Sequence, residues 1–356
     1  MKLAHAIAML AALLVLTAPA VAQLSIAPPT ASPSPSPEKP KATPQAVTKK
    51  KEAAPAPKPS PSPSPPPTAT VIPAPQPDNS NVDLVFGAYQ RGQYKTAAEL
   101  ATARAQSGDP KAMTMLGELY SSALGVKRDY AKAAEWYKRA SDAGDRQAMF
   151  ALAMMRIAGR GGPVDKGEAV KLLASSAKLG EPKAAYNLAL LYLDGQTLPQ
   201  DVRRSAELLR QAADAGLPEA QYALATFYKE GTGVEKDIDK AVRLLQAASL
   251  ADNVDAEVEY AIAMFNGTGT PKNQPAAVAL LRKAARQNSP IAQNRLAWVL
   301  INGLGAPVDK VEGFKWHLVA KTAGKGDPEL DKQLTELNPD DRAKAEAAAR
   351  KWLGTK

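Results

Sequence analysis

Residues 220–255 read AQYALATFYKEGTGVEKDIDKAVRLLQAASLADNVD, and the fold follows from how this stretch is punctuated. Ala220, Leu224, Phe227 and Tyr228 fall at i, i+4, i+7 and i+8, the spacing of one apolar face of an α-helix. Gly231-Thr232-Gly233-Val234 then interrupts the pattern, because glycine accepts the left-handed backbone that a helix exit needs. Asp237 precedes a second helical pattern, where its carboxylate can accept from the free amides at the helix start. Ala241, Leu244, Leu245 and Ala248 supply the apolar stripe of that second helix, and Asp252-Asn253 ends it. One unit is therefore a helix-loop-helix hairpin.

The unit recurs every 36 residues from 112 to 327, six times without insertion or deletion. Its alanine returns as Ala112, Ala148, Ala184, Ala220, Ala256 and Ala292. The loop glycine returns as Gly125, Gly161, Gly233, Gly269 and Gly305, with Thr197 in the third unit. The aspartate returns as Asp129, Asp165, Asp201, Asp237 and Asp309, with Asn273 in the fifth unit and Pro275 in its following turn. At the place of Leu244 stand Trp136, Leu172, Leu208, Leu280 and Trp316. Small residues line the first helices at Gly117 and at positions 153, 189, 225, 261 and 297, as close helix approach requires. A unit this small cannot bury its own apolar face, so a fixed period of this length predicts a stacked array that buries one continuous core and exposes a long surface suited to binding.

The residues Ala112, Leu116-Gly117, Tyr120, Gly125-Val126, Asp129, Lys132-Ala133, Trp136-Tyr137 and Ala143-Gly144 resemble the Sel1-like repeat, a relative of the tetratricopeptide repeat. The resemblance covers 112–327 and implies an all-α, right-handed α-solenoid of helix-turn-helix repeats. Upstream, 78–111 reads as a shorter tetratricopeptide-like hairpin, carried by Phe86-Gly87-Ala88-Tyr89, Gly92-Gln93-Tyr94 and Ala97-Ala98-Glu99-Leu100. Downstream, 328–356 reads as capping helices, with Asn338-Pro339-Asp340-Asp341 in the form of a helix start.

The chain begins differently. Residues 1–22 carry Lys2, an apolar run over 6–16 and the small-residue triplet Ala20-Val21-Ala22, the pattern of a secretory signal cleaved before Gln23. The apolar run is short for a membrane span, though an uncleaved anchor facing the periplasm is the alternative. Residues 23–77 are rich in Pro, Ala, Ser and Lys, a composition that cannot bury enough apolar surface to fold and reads as a disordered linker. Six lysines there (Lys39, Lys41, Lys49, Lys50, Lys51 and Lys58) face only Glu38 and Glu52, so much of the chain's +9 net charge lies in this segment. A solvated spacer is one reading of those lysines, and loose contact with cell-wall polymers or membrane headgroups is another. Nucleic acid is not expected, because the basic residues lack interleaved aromatics.

Catalytic chemistry finds little material. With no cysteine there is no disulfide, thiolate nucleophile or thiolate metal site. Beyond residue 22 the one histidine is His317, which stands in the apolar register of Tyr137, Leu173, Leu209, Leu245 and Leu281 and reads as a partly buried packing residue. The Gly-x-Gly loops follow helices and not strands, so they read as helix stops and not phosphate cradles. Trp136, Trp298, Trp316 and Trp352 read as core. No metal and no cofactor is predicted.

One stripe on the first helices has two readings. Phe150, Tyr186, Tyr222, Val258 and Asn294, followed seven residues on by Ile157, Leu193, Lys229, Phe265 and Ile301, either pack between repeats or line a peptide groove. In the second reading Phe150, Tyr186 and Tyr222 hold apolar side chains, and Asn187, Lys229 and Arg295 hold backbone or carboxylate groups. The family resemblance implies an adaptor, monomeric and without catalysis, that binds protein partners in the bacterial cell envelope. It also implies an alternative, since some cysteine-rich relatives are described as cell-wall-associated penicillin binders or β-lactam hydrolases. Those relatives carry disulfide-paired hairpins that this chain cannot form.

Overall fold

The computed structural model describes residues 83–354; the leader pattern at 1–22, the proline-rich linker and the first residues of the N-terminal hairpin lie outside them. Among the described residues there are sixteen helices and no strand. A first hairpin pairs α1 (Leu84–Gln90) with α2 (Tyr94–Gln106). Six units follow: α3 (Pro110–Ser122) with α4 (Tyr130–Asp142), α5 (Arg146–Ala158) with α6 (Lys166–Lys178), α7 (Pro182–Asp194) with α8 (Val202–Asp214), α9 (Pro218–Glu230) with α10 (Ile238–Leu250), α11 (Val254–Asn266) with α12 (Gln274–Arg286), and α13 (Pro290–Asn302) with α14 (Lys310–Thr322). The chain ends in α15 (Pro328–Thr335) and α16 (Pro339–Leu353). From α1 to α13 the main packing partners of each helix are its predecessor and its successor, which makes the array a solenoid.

The starts of the second helices and the ends of the first helices in the six units are set by residues that the sequence repeats. Ahead of every second helix an acid or amide accepts from the amide three residues on: Asp129 from Lys132 at 3.0 Å, Asp237 from Lys240 at 2.8 Å, and Asn273 from Ala276 at 3.1 Å. Four of the six first helices start at proline, whose missing N–H costs nothing there. First helices exit through a left-handed residue, which is Gly159, Gly195, Gly231, Gly267 or Gly303 in five units and Ala123 in the first.

The second loop glycine does more than stop a helix. A Cβ on Gly161 would lie 2.1 Å from the Tyr130 carbonyl oxygen, and one on Gly233 2.7 Å from that of Val202. These contacts cross to the second helix of the preceding unit, so this glycine is a spacer that lets neighbouring units close up. Thr197, in its place in the third unit, is not among the residues of positive φ.

The seam is built from alanine and leucine. Ala153, Ala189 and Ala261 are fully buried on the first helices, and in the same units Leu173, Leu209 and Leu281 are fully buried on the second. His317 stands in that leucine register and is buried completely, not partly as its pattern suggested. Its Nε2 lies 2.8 Å from Asp331 Oδ1, and Lys321 Nζ reaches the same oxygen at 2.7 Å, so a polar clasp ties α14 to α15. Asp331 lies below the ordinary carboxylate range because Lys321 and His317 both donate to it. The last helix, α16, packs on α14 and closes that end of the array. There Trp316 and Trp352 meet edge to face at 4.9 Å, with the Lys315 ammonium 4.1 Å from one ring centre and 5.0 Å from the other. Trp316 is core, as the sequence suggested, but Trp352 remains more than a third exposed.

Candidate functional site

A groove of about 630 Å³ runs along the first helices at the N-terminal end of the array. Its floor is apolar: Val85, Phe86 and Tyr89 from α1, Met115 from α3, and Phe150 and Ala151 from α5, with Tyr137 reaching in from α4. Helical spacing explains the set, since 86 and 89 are one turn apart, as are 112, 115 and 118, and as are 147, 150 and 151. Phe86 is 47% exposed, an unusual state for a phenylalanine in a stacked array and the expected one for a groove wall.

The rim is charged, and most of its groups are committed to holding the groove's shape. Arg104 from α2 joins Asp83 at 2.8 Å and also pairs with Asp109, so one guanidinium fixes the starts of α1 and α3. Against the effect of burial, the Ala112 amide, Arg104 and the Lys111 amide together hold the Asp109 carboxyl below its ordinary range. Asp145 accepts from the Ala148 amide at 2.8 Å and from Thr114 Oγ1 at 3.1 Å, stitching α5 to α3. Arg146 donates to the Leu179 and Gly180 carbonyls at 3.1 and 3.3 Å, which ties α5 to the end of α6. Tyr137 Oη donates to Glu118 Oε2 at 3.2 Å, and Glu118 also takes Ser122 Oγ at 2.7 Å. Burial first, and then the Glu118 charge, push the hydroxyls of Tyr137 and Tyr89 above their ordinary pKa. These phenols stay neutral at physiological pH and serve as apolar surfaces with a polar edge. Lys111 and Lys183 are left over: both line the groove, both are exposed, and neither has an ion-pair partner among the described residues.

Of the residues picked out from the sequence, the structure brings only Phe150 into this groove. Tyr186 and Tyr222 continue its row on α7 and α9, Tyr186 within the central core cluster and Tyr222 half-buried against it. Burial raises both hydroxyls, helped at Tyr186 by Glu219 and at Tyr222 by Glu259, Asp255 and Glu230. Asn187 Nδ2 donates to the Lys183 carbonyl of its own helix at 2.7 Å, and Lys229 Nζ lies 3.0 Å from Glu259 Oε2. Arg295 is half-buried on α13, far along the array from Phe150. Sequence reasoning missed Phe86, Tyr89, Met115 and Tyr137. The last two were legible in principle, because 115 and 137 recur in every unit at groove-facing and seam positions, whereas α1 belongs to no 36-residue unit.

With the geometry in view, the comparisons decide the family. Six consecutive segments, residues 110–145, 146–181, 182–217, 218–253, 254–289 and 290–325, each match the Sel1 repeat model. The chain belongs to the Sel1 repeat family. Among solved structures this Sel1 repeat protein is similar to a Sel1 repeat protein from Oxalobacter formigenes, at 27% identity and a TM-score of 0.61, over 67% of this chain and 98% of that one. It is also similar to a protective antigen of uropathogenic Escherichia coli strains that displays an SLR fold, at 25% identity and a TM-score of 0.53, over 76% of this chain and 67% of that one. No curated protein matches the chain. Sel1 repeat proteins generally mediate protein–protein interactions and are generally not catalysts. Among the described residues no group of three or more His, Cys, Asp or Glu side chains is placed to hold a metal, and no helix is long and apolar enough to cross a membrane.

Proposed function

We propose that this Sel1 repeat protein is an exported interaction scaffold of the bacterial cell envelope, and that it holds an extended segment of a partner protein along the first-helix face. The observation that carries the reading is the N-terminal groove: an apolar floor of Phe86, Tyr89, Met115 and Phe150 inside a rim whose paired charges keep it open. A groove of this kind receives apolar side chains of a peptide, while the rim meets its backbone and charges. The segment continues over Tyr186 and Tyr222 towards Lys229 and Arg295. Export rests on the leader pattern at 1–22, and the lysine-bearing residues 23–77 act as a spacer between the envelope and the array.

The test places a photo-crosslinking amino acid at Phe150 in one protein and at Glu235, exposed between α9 and α10, in another. The reading expects a partner trapped in envelope extracts from position 150 and not from position 235. Equal trapping from both positions refutes the groove. Amino-terminal mass spectrometry tests export, with a mature chain beginning at or near Gln23 in the periplasmic fraction as the expected result and a chain retaining Met1 in the inner membrane as the refuting one.

A further inference from the structure

The second residue of each first helix forms a row with a charge order that stacking does not require. Along α3, α5, α7, α9, α11 and α13 these residues are Lys111, Gln147, Lys183, Glu219, Asp255 and Ile291. Every one of these helices is 13 residues long and the units follow without insertion, so the six side chains share one register. The groove shows where that register points, since Lys111 and Lys183 both line it. The acids farther on hold the same register, Glu219 as the second residue of α9 and Asp255 as the second residue of α11. Lys111, Lys183, Glu219 and Asp255 are all exposed, and none is engaged in an ion pair among the described residues.

Helix stability does not explain the order. The first turn of a helix favours acids and disfavours cations, so Lys111 and Lys183 stand against the helix dipole. The basic part therefore occupies positions where lysine weakens the scaffold, and it occupies them in the units that build the groove. Between the charges, one turn farther along each helix, lie Phe150, Tyr186 and Tyr222.

We infer that the first-helix face takes a partner segment of split charge, with its acidic residues over the first three units, apolar residues against Phe150, Tyr186 and Tyr222, and its basic residues over the fourth and fifth units. The inference rests on the peptide-binding reading above and adds the chemistry of the occupant. Complementary charge fixes which way such a segment lies and rejects segments of a single sign.

Fluorescence anisotropy of the full chain with four labelled peptides of equal length tests it: one with an acidic block, an apolar core and a basic block, one acidic throughout, one basic throughout, and one uncharged. The split peptide is expected to bind the unaltered chain about tenfold more tightly than the others at near-physiological salt. Lys111→Glu with Lys183→Glu leaves acids as the only charges in the row and is expected to move the preference to the basic peptide. Glu219→Lys with Asp255→Lys is expected to move it to the acidic peptide. The lysines of residues 23–77 are the same in every variant and cancel. Lys111→Gln with Lys183→Gln, which copies the residue already present at Gln147, serves as the milder pair if charge reversal disturbs the helices, and it should erase the preference for the split peptide. A split peptide that binds no better than the others, or variants that leave the preference unmoved, overturn the split-charge inference. If all four peptides bind alike and lose binding on Phe150→Ser, the peptide groove stands and the charge row falls. If none binds any folded variant, both fall.

Discussion

Adding one methyl group at Gly117 tests how the first unit is packed. An ideal Cβ at this position would lie 2.6 Å from two ring carbons of Tyr137 and 2.8 Å from a third. Carbon atoms are comfortable at about 3.5–4.0 Å, so the ring would have to retreat by roughly 1 Å. Tyr137 is only 4% exposed and its hydroxyl is held by Glu118, so the ring is confined. Four other units avoid the conflict by pairing alanine with leucine at these two places: Ala153 with Leu173, Ala189 with Leu209, Ala225 with Leu245, and Ala261 with Leu281. Gly117→Ala alone should therefore incur an overpacking penalty of ~1–3 kcal/mol, offset by up to ~1 kcal/mol of better helix propensity. In a Tyr137→Leu background the clash is gone and the same change should stabilise by ~1 kcal/mol. The coupling between the two changes is then ~1–3 kcal/mol. Urea unfolding of the four proteins, followed by circular dichroism and by amide exchange in α3 and α4, measures it; amide exchange is needed because a repeat array can open one unit at a time. A coupling below ~0.5 kcal/mol would refute the claim that glycine at 117 exists to seat the Tyr137 ring.

Three further outcomes follow from other sites. Glu257 is wholly buried and its nearest charge is Lys283 Nζ at 2.5 Å, whereas the equivalent Gln221 and Gln293 donate to carbonyls eight residues back, Ala213 at 3.3 Å and Ala285 at 3.1 Å. Glu257→Gln should thus be neutral or stabilising in a urea melt, and Lys283→Met should destabilise by ~1–3 kcal/mol because it leaves the carboxylate buried alone; the reverse order would count against the pairing. Ala123 has φ of 60°, so Ala123→Gly should raise stability by ~0.5–1 kcal/mol, the relief of a left-handed alanine less the added freedom of the unfolded glycine, and a drop in the melting temperature would contradict it. Asp331 has its folded pKa lowered from 3.8, so its contribution is present above that value and is lost as pH falls through the lower folded value. The melting temperatures of the parent and of Asp331→Asn should differ at pH 6 and converge at pH values below 3.8, and a gap that persists in acid would exclude the clasp as its source.

Much of the fold was legible because the period fixes phase. Once Ala220, Leu224, Phe227 and Asp237 are assigned, the same roles fall on every unit 36 residues away, and the helices begin and end where the caps say. Less was legible wherever a contact crosses between units of unlike sequence. Gly161 and Gly233 read as helix stops because left-handed backbone is a local property, while their close approach to Tyr130 and Val202 is a property of stacking. His317 read as a packing residue because its register is apolar, but its partner Asp331 sits on α15, outside the repeat, where periodicity has nothing to say. The groove suffered in the same way: Phe150 lies in a repeated row and was found, and Phe86 lies on a hairpin with its own spacing and was not.

The departures from the repeat also have an order. Where all units agree, as at Ala112, Ala148, Ala184, Ala220, Ala256 and Ala292, the residue serves the stack and would serve any Sel1 array. Where one unit differs from its neighbours, the structure supplies a local reason: Gly117 for Tyr137, His317 for Asp331, Glu257 for Lys283. Lys111 and Lys183 are of a third kind, since they differ from Glu219 and Asp255 at the same register and no neighbouring side chain in the array accounts for them. Side chains that the scaffold neither needs nor pairs, set against the dipole of their own helices beside an open apolar groove, are the ones the split-charge inference assigns to a partner. On the proposed reading, the charges that break the repeat orient the partner, and the residues that keep it hold those side chains at fixed spacing along one face.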